Sequence, residues 1–332
     1  MRRIKKFLNL VPIIALAVFF SFISPTHAQK KLEKEKNMIM SEGLALYTLI
    51  LANWTSNDIY YENEFNTAIV KGYLSYKIKD TIKTIFWREL DTTSAEYKAK
   101  VFHQVGDTGI LAQQAPKKID DLRIIIKTIC YPKLSITKTN AIVTDQEEHG
   151  PSEYEKMLMN YRASTYKEID KDTSLFKRYN GTQLKAAFLD MGKEIKTYVY
   201  SSSTSDDFVP LGGDYLLVYN KKENQLIEKH KLHNGLMMIS SKYRGHSYDA
   251  SKFTYHNHKG ETDDLITPTD IAILLLYKNR IEWDEHHVIS DKYTCVFTLI
   301  DRRLQIIPTE EYEYLQKKKS MQDKEAAKAN WH

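Results

Sequence analysis

Three side chains in one short stretch have the types and spacing of metal ligands. His256 and His258 stand one residue apart, and eleven residues separate His258 from Asp270. In an extended strand alternate residues share a face, so the two imidazoles point the same way. Asp270 falls in the first turn of an apolar helix, from which a carboxylate can be aimed back at the strand end. Two imidazoles, one carboxylate and one open position describe a catalytic zinc site rather than a closed structural one. Water held at such an ion is acidified enough to act as a nucleophile near neutral pH. The same residues also have a plain structural reading. Thr267-Pro268-Thr269-Asp270 is a sound helix start, with Thr at the N-cap, Pro in the first position and an acid at N3. On that reading Asp270 is a cap and the histidines are polar residues at a strand end.

The elements that must position these residues are legible around them. Phe253 to Tyr277 reads as strand, polar loop and helix. Upstream, Gly212-Gly213 leads into an apolar strand at Tyr215 to Tyr219, a turn at Lys221 to Asn224, a return strand at Gln225 to Leu232 and a further strand at Leu236 to Ile239. Downstream, strands are predicted at His287 to Ser290 and Thr294 to Ile300. His230, His233, His286 and His287 lie on or beside these strands and read as surface or hydrogen-bonded groups. His233 is the alternative ligand should Asp270 serve only as a cap. No Ser/His/Asp order, phosphate loop or dinucleotide-binding glycine pattern is present.

The first half of the chain is less specific. A helix is expected over Met38 to Trp54 and a hairpin over Gly72 to Ile78 and Thr81 to Trp87. Ala95 to Val105 is read as a strand, Pro116 to Ile129 as a helix and Leu134 to Val143 as a strand. Pro151 to Asp170 reads as a helix, followed by strands at Gln183 to Leu189 and Ile195 to Tyr200. The polar breaks near 145–151 and 201–207 and the change in pattern between them suggest an α+β protein of two domains. The first covers 29–172, an α+β domain of unknown role, and the second 173–315, with a polar tail over 316–332.

Residues 1–28 have the pattern of a secretory signal peptide. Arg2, Arg3, Lys5 and Lys6 precede an apolar run from Phe7 to Ile23, and small residues lead to a break after Ala28. The expected location is periplasmic or secreted, with no stable membrane anchor after cleavage. Those four basic residues account for most of the formal charge of +5, so no general case for nucleic acid remains. The chain has 2 cysteines, Cys130 and Cys295, whose pairing is open on sequence grounds.

Tyr255-His-Asn-His258, a glycine-containing loop, and Thr267-Pro268-Thr269-Asp270 opening an apolar helix together resemble the JAB/MPN (JAMM) metalloprotease motif. His286 to Ser290 and Tyr293 to Phe297 resemble the strands that follow that helix, and Gly212-Gly213 with its hairpin resembles the family's early β-hairpin. The resemblance covers roughly residues 205 to 305. It implies a C-terminal JAB-like mixed β-sheet flanked by helices, with zinc held by His256, His258 and Asp270. Thr267 would stand in the place of a serine that helps hold the oxyanion, and a glutamate from an earlier element would act as base. The implied activity is hydrolysis of peptide, isopeptide or related amide bonds, on a protein or peptide substrate. The motif departs from the family's in three places: the loop is one residue longer, Lys259 replaces a proline, and no glutamate precedes Gly212-Gly213. Glu194 is the nearest upstream candidate for the base, with Asp206, Asp207 and Asp214 as shorter carboxylates. The absent glutamate motivates an alternative, a non-catalytic binding or scaffold protein that keeps the JAB-like fold.

Overall fold

The computed structural model describes residues 27–63, 65–91, 93–94, 122–144, 148–205, 207–241, 253–258 and 264–329. It is an α+β protein. Helix α1 (His27–Glu62) is followed by a sheet ordered β1-β2-β3-β4, made of Gly72–Ile78, Thr81–Glu89, Arg123–Tyr131 and Ile142–Thr144. Helix α2 (Glu153–Lys171) leads to β5 (Thr182–Asp190), β6 (Glu194–Ser203), β8 (Tyr215–Asn220) and β9 (Gln225–Lys231), a second antiparallel sheet ordered β5-β6-β8-β9. A separate two-stranded ribbon pairs β7 (Phe208–Gly212) with β10 (Leu236–Ser240). The last sheet is mixed. β11 (Phe253–Asn257) runs parallel to β12 (Glu285–Ile289), with α3 (Pro268–Tyr277) between them in sequence, and β13 (Tyr293–Thr298) and β14 (Arg303–Pro308) continue antiparallel. Helix α4 (Thr309–Ala329) closes the described chain. No described helix is long and apolar enough to cross a membrane.

Residues from Met40 onward belong to one compact unit. One apolar cluster joins Leu74, Ile85 and Trp87 of the first sheet, Leu158, Met159 and Tyr161 of α2, and Ile195, Val199 and Leu217 of the second. Each of these buried side chains contributes about 1.5–3 kcal/mol relative to exposure. Polar ties fix how the layers meet. Glu42 of α1 accepts from Lys196 Nζ at 2.6 Å and from the Tyr198 hydroxyl, both on β6. A Cβ on Gly43 would lie 2.8 Å from Ile271 Cβ, so the small residue lets α1 approach α3 closely.

Helix α2 starts from a full capping box. Ser152 Oγ accepts from Glu155 N, and the Glu155 carboxylate accepts from Ser152 N at 2.8 Å. Its other oxygen accepts from the Tyr76 hydroxyl at 2.6 Å, tying the helix to β1. Burial raises the Glu155 pKa, but the bonds from Tyr76 and Ser152 outweigh it and hold the carboxyl below its ordinary value. A depressed carboxylate stabilises the fold above its unfolded pKa, and that contribution disappears as pH falls through the folded value. Glu155→Ala is expected to cost about 2 kcal/mol near neutral pH, from the lost cap and the orphaned Tyr76 hydroxyl. Denaturant unfolding at pH 7 and again well below pH 4 should show that difference shrinking in acid.

The structure departs from several sequence expectations. The helix expected over 116–129 is strand β3 where it is described. Its run Arg-Ile-Ile-Ile-Lys-Thr-Ile-Cys-Tyr is β-branched and apolar on both faces, the signature of a covered strand rather than of a helix. In place of a strand over 134–143 the chain makes a short 3-10 turn at Pro132–Leu134, then turns, and extends only at β4. Helix α1 is longer than the expected 38–54. Strands β7 and β14 were not anticipated. Pro210 sits inside β7, which is tolerated because among the described residues β7 has a strand partner on one side only. The strand expected over 95–105 and nearly all of the signal segment lie outside the described residues.

Candidate metal centre

Four side chains from three places in the fold converge. His256 is on β11 and His258 just after it, Asp270 is at N3 of α3, and His233 is in the turn between β9 and β10. One ligand atom from each lies within 4.8 Å of every other, and all four side chains are buried. The Nε2 atoms of His256 and His258 are 2.9 Å apart, and those of His258 and His233 are 2.8 Å apart. Asp270 Oδ2 lies 3.3 Å from His233 Nε2 and 3.9 Å from His256 Nε2. A tetrahedral ion with bonds of about 2.0–2.1 Å places its ligands about 3.3 Å from one another. The observed separations bracket that edge. Three imidazole nitrogens facing one point cannot all be satisfied by one another's protons, whereas a cation satisfies all of them together.

Asp270 has two roles, and both fall on Oδ2, which faces His233 and His256 and also closes the helix start. Oδ2 accepts from Thr267 N at 3.0 Å and from Thr267 Oγ1 at 2.9 Å, completing the capping box of α3. Oδ1 is buried and has no hydrogen-bond partner among the described residues. With Oδ2 facing His233 and His256, this buried carboxylate brings to the cluster negative charge that a cation would balance. The structural and the functional readings of Thr267 to Asp270 therefore hold together.

Second contacts orient the ligands. His233 Nδ1 meets Asp214 Oδ1 at 2.6 Å, and the other Asp214 oxygen accepts from the Thr269 hydroxyl. With Nδ1 donating to that carboxylate, Nε2 is left as the lone-pair atom turned to the centre. His256 Nδ1 meets His286 Nε2 at 2.7 Å, and His286 Nδ1 meets Thr254 Oγ1 at 2.8 Å. A proton on each Nδ1 satisfies this chain and again frees His256 Nε2.

The electrostatics match this division. Burial pushes the His256 pKa down to about 4, against the pull of Asp270, so its imidazole is neutral at physiological pH. Burial and neighbouring His256 likewise keep His286 well below the ordinary histidine range. At Asp270 burial raises the pKa, but His233 and His256 outweigh it and the carboxyl lies well below its usual range. At His233 burial lowers the pKa, yet Asp214 and Asp270 outweigh it and raise it well above normal. Without an ion, His233 is thus the protonated member of the cluster. An incoming metal must displace that proton, so affinity falls as pH falls. Titration calorimetry with zinc near pH 7, in buffers of different ionisation enthalpy, is expected to show release of about one proton. Heats independent of the buffer would contradict this.

Not every expected site residue is brought here. Thr267 is buried and its hydroxyl is bonded to Asp270 and Thr269, so it serves the helix start. Glu194 begins β6 at the end opposite Ser201, whose hydroxyl bonds Gly213 O beside Asp214. Seven strand residues span about 23 Å, which keeps Glu194 away from the cluster. Asp214 does reach the site, as the partner of His233. Asp206 lies outside the described residues. Cys295 is nearby, with Ile266 N donating to its Sγ at 3.4 Å and burial pushing the thiol up to about 12, but it is not among the four side chains that converge. Cys130 and Cys295 are both free.

A cleft of about 310 Å³ reaches the cluster from outside, lined by Leu211, Leu236, Met237, Tyr255, His233 and His256. The centre is thus closed by protein on its inner side and touches open space where two of its histidines stand. No family model, curated protein or solved structure matches the chain.

Proposed function

We propose that this chain is an exported, JAB-like zinc protein whose ion serves binding or scaffolding rather than hydrolysis. The observation that carries the reading is His233. The resemblance supplies two histidines and an aspartate, which leave the fourth position to water, and His233 fills that position with a protein ligand. Four protein ligands are the mark of a structural zinc site. Three imidazoles and a carboxylate, with no thiolate, suit zinc among the common divalent ions. Asp214 is spent on His233 and Thr269, and Glu194 is remote, so neither is placed to take a proton from water. A bound zinc would supply concentrated positive charge holding β11, α3 and the β9–β10 turn together. The cleft beside it, walled by Leu211, Leu236, Met237 and Tyr255, would receive a protein or peptide partner. Export rests on the basic, apolar and small-residue order of residues 1–28.

Metal analysis of the mature protein prepared under metal-replete conditions should find one zinc per chain. Cobalt substituted for zinc should give the visible spectrum of a four-coordinate ion. Metal-free protein from such a preparation would sink the reading. A second reading, a zinc-dependent hydrolase of peptide, isopeptide or related amide bonds, is favoured by the cleft that reaches His233 and His256. It requires His233 to yield its position to water. Cleavage of amide substrates by the zinc protein, absent in His256→Ala, would put this second reading first. Sequencing the N-terminus of protein recovered from the producing cell tests export, with Gln29 expected first.

A further inference from the structure

We infer that a second cavity, between α1, α2, β1 and β5, binds an oxyanion of phosphate size through Arg162 and Lys185. The cavity has a volume of about 130 Å³ and lies in a different part of the fold from the histidine cluster. Its polar lining includes Arg162, Lys185, Gln183 and the hydroxyl-bearing Tyr73 and Tyr166, and no aspartate or glutamate lines it.

Several cations elsewhere in the fold have acids beside them: Lys229 meets Asp172 at 2.9 Å, Arg178 meets Asp170 at 2.6 Å and Lys221 meets Asp190 at 2.8 Å. Neither Arg162 nor Lys185 has a carboxylate partner among the described residues. Arg162 is instead stacked on aromatic rings, with its guanidinium carbon 5.3 Å from the Trp87 ring centre and 4.7 Å from that of Tyr166. A guanidinium held by ring contacts of this kind keeps its N–H donors for an oxyanion acceptor. Lys185 is half-buried, and burial lowers its pKa, the response of an ammonium taken from water without a counterion. Two partly desolvated cations facing one small space repel each other unless an anion lies between them.

At about 130 Å³ the cavity has room for a phosphate or sulfate. Tyr73 is kept neutral by burial, against the pull of Arg162, so its hydroxyl remains able to donate. Guanidinium and ammonium donors to an oxyanion form the stronger, charge-assisted class of hydrogen bond.

Calorimetry on the full-length mature protein with inorganic phosphate, at constant ionic strength set with chloride, tests the site. Saturable binding of one phosphate per chain is expected, with Lys185→Gln and Arg162→Gln each weakening it at least tenfold and Lys185→Arg retaining it. Lys185→Gln carries the test should Arg162→Gln unfold, because the lysine is not part of the aromatic stack. Sulfate should compete. Methyl phosphate run in parallel separates two sources of the group: tighter binding than phosphate points to an ester, weaker binding to the free ion. No saturable binding, or binding unchanged in Lys185→Gln, overturns the inference.

Discussion

Replacing His256 and His258 together by alanine is expected to abolish stoichiometric zinc binding. Two of four ligands are lost, and the two that remain, His233 and Asp270, would form an ordinary ion pair at 3.3 Å rather than a site. The loss should exceed the 10- to 100-fold typical of removing a group that only orients a ligand. That smaller range is expected for Asp214→Asn and His286→Ala, which act through His233 and His256. The effect extends to stability. Zinc at 1,000 times its dissociation constant stabilises a folded protein by about 4 kcal/mol, and the double variant should show none of that increment. Melting curves with and without zinc, together with metal content, would read both effects. A double variant that still bound one zinc and still gained in melting temperature would remove the four-ligand site from consideration.

The second large effect is expected at Gly212. Its φ is +80°, and a Cβ built there would lie 2.4 Å from Gly235 O and 3.2 Å from His233 Cβ. The same carbonyl accepts from Gly213 N at 2.7 Å, so it is not free to move. Gly212→Ala therefore meets two penalties. The left-handed backbone costs about 1–2 kcal/mol for a residue with a side chain, and the clash must be relieved by shifting the turn that carries His233. We expect a loss of about 3 kcal/mol or more and zinc binding weakened at least tenfold. Gly181 provides the control. Its φ is +74°, but a Cβ there meets nothing within 4 Å. Gly181→Ala should lose only the backbone part and bind zinc normally. Equal stability loss and equal zinc affinity in the two variants would show that packing against the His233 turn is not what Gly212 provides.

Much of the centre was legible in the sequence because it is local. His256 and His258 follow from strand alternation, and Asp270 from the Thr-Pro-Thr-Asp helix start; each needs only a few consecutive residues. His233 was visible only as an alternative to Asp270. It reaches the site because β10 pairs with β7, Leu236 lying opposite Gly212. That ribbon was hidden by Pro210, which reads as a breaker, so nothing in the local pattern carried the turn to the ion. The role of Asp214 was obscured in the same way. Burial of His286 depends on β12 lying between β11 and β13, a long-range arrangement with no local signature. In the first half, β3 was misread because a strand with apolar residues on both faces loses the alternation that distinguishes it from a helix.

The free state of both cysteines has a consequence for how such a fold is fastened. The export proposed above would take the chain to a compartment where disulfides are common staples, yet its two thiols stay apart. An ion shared by His233, His256, His258 and Asp270 would be the staple instead, tying a turn, a strand end and a helix start across a stretch of 37 positions. A covalent cross-link closing a loop of that order contributes about 3–4 kcal/mol by restricting the unfolded chain. A metal cross-link restricts it in the same manner but comes undone by different chemistry. Reducing agents would leave this protein folded, and chelators would loosen it.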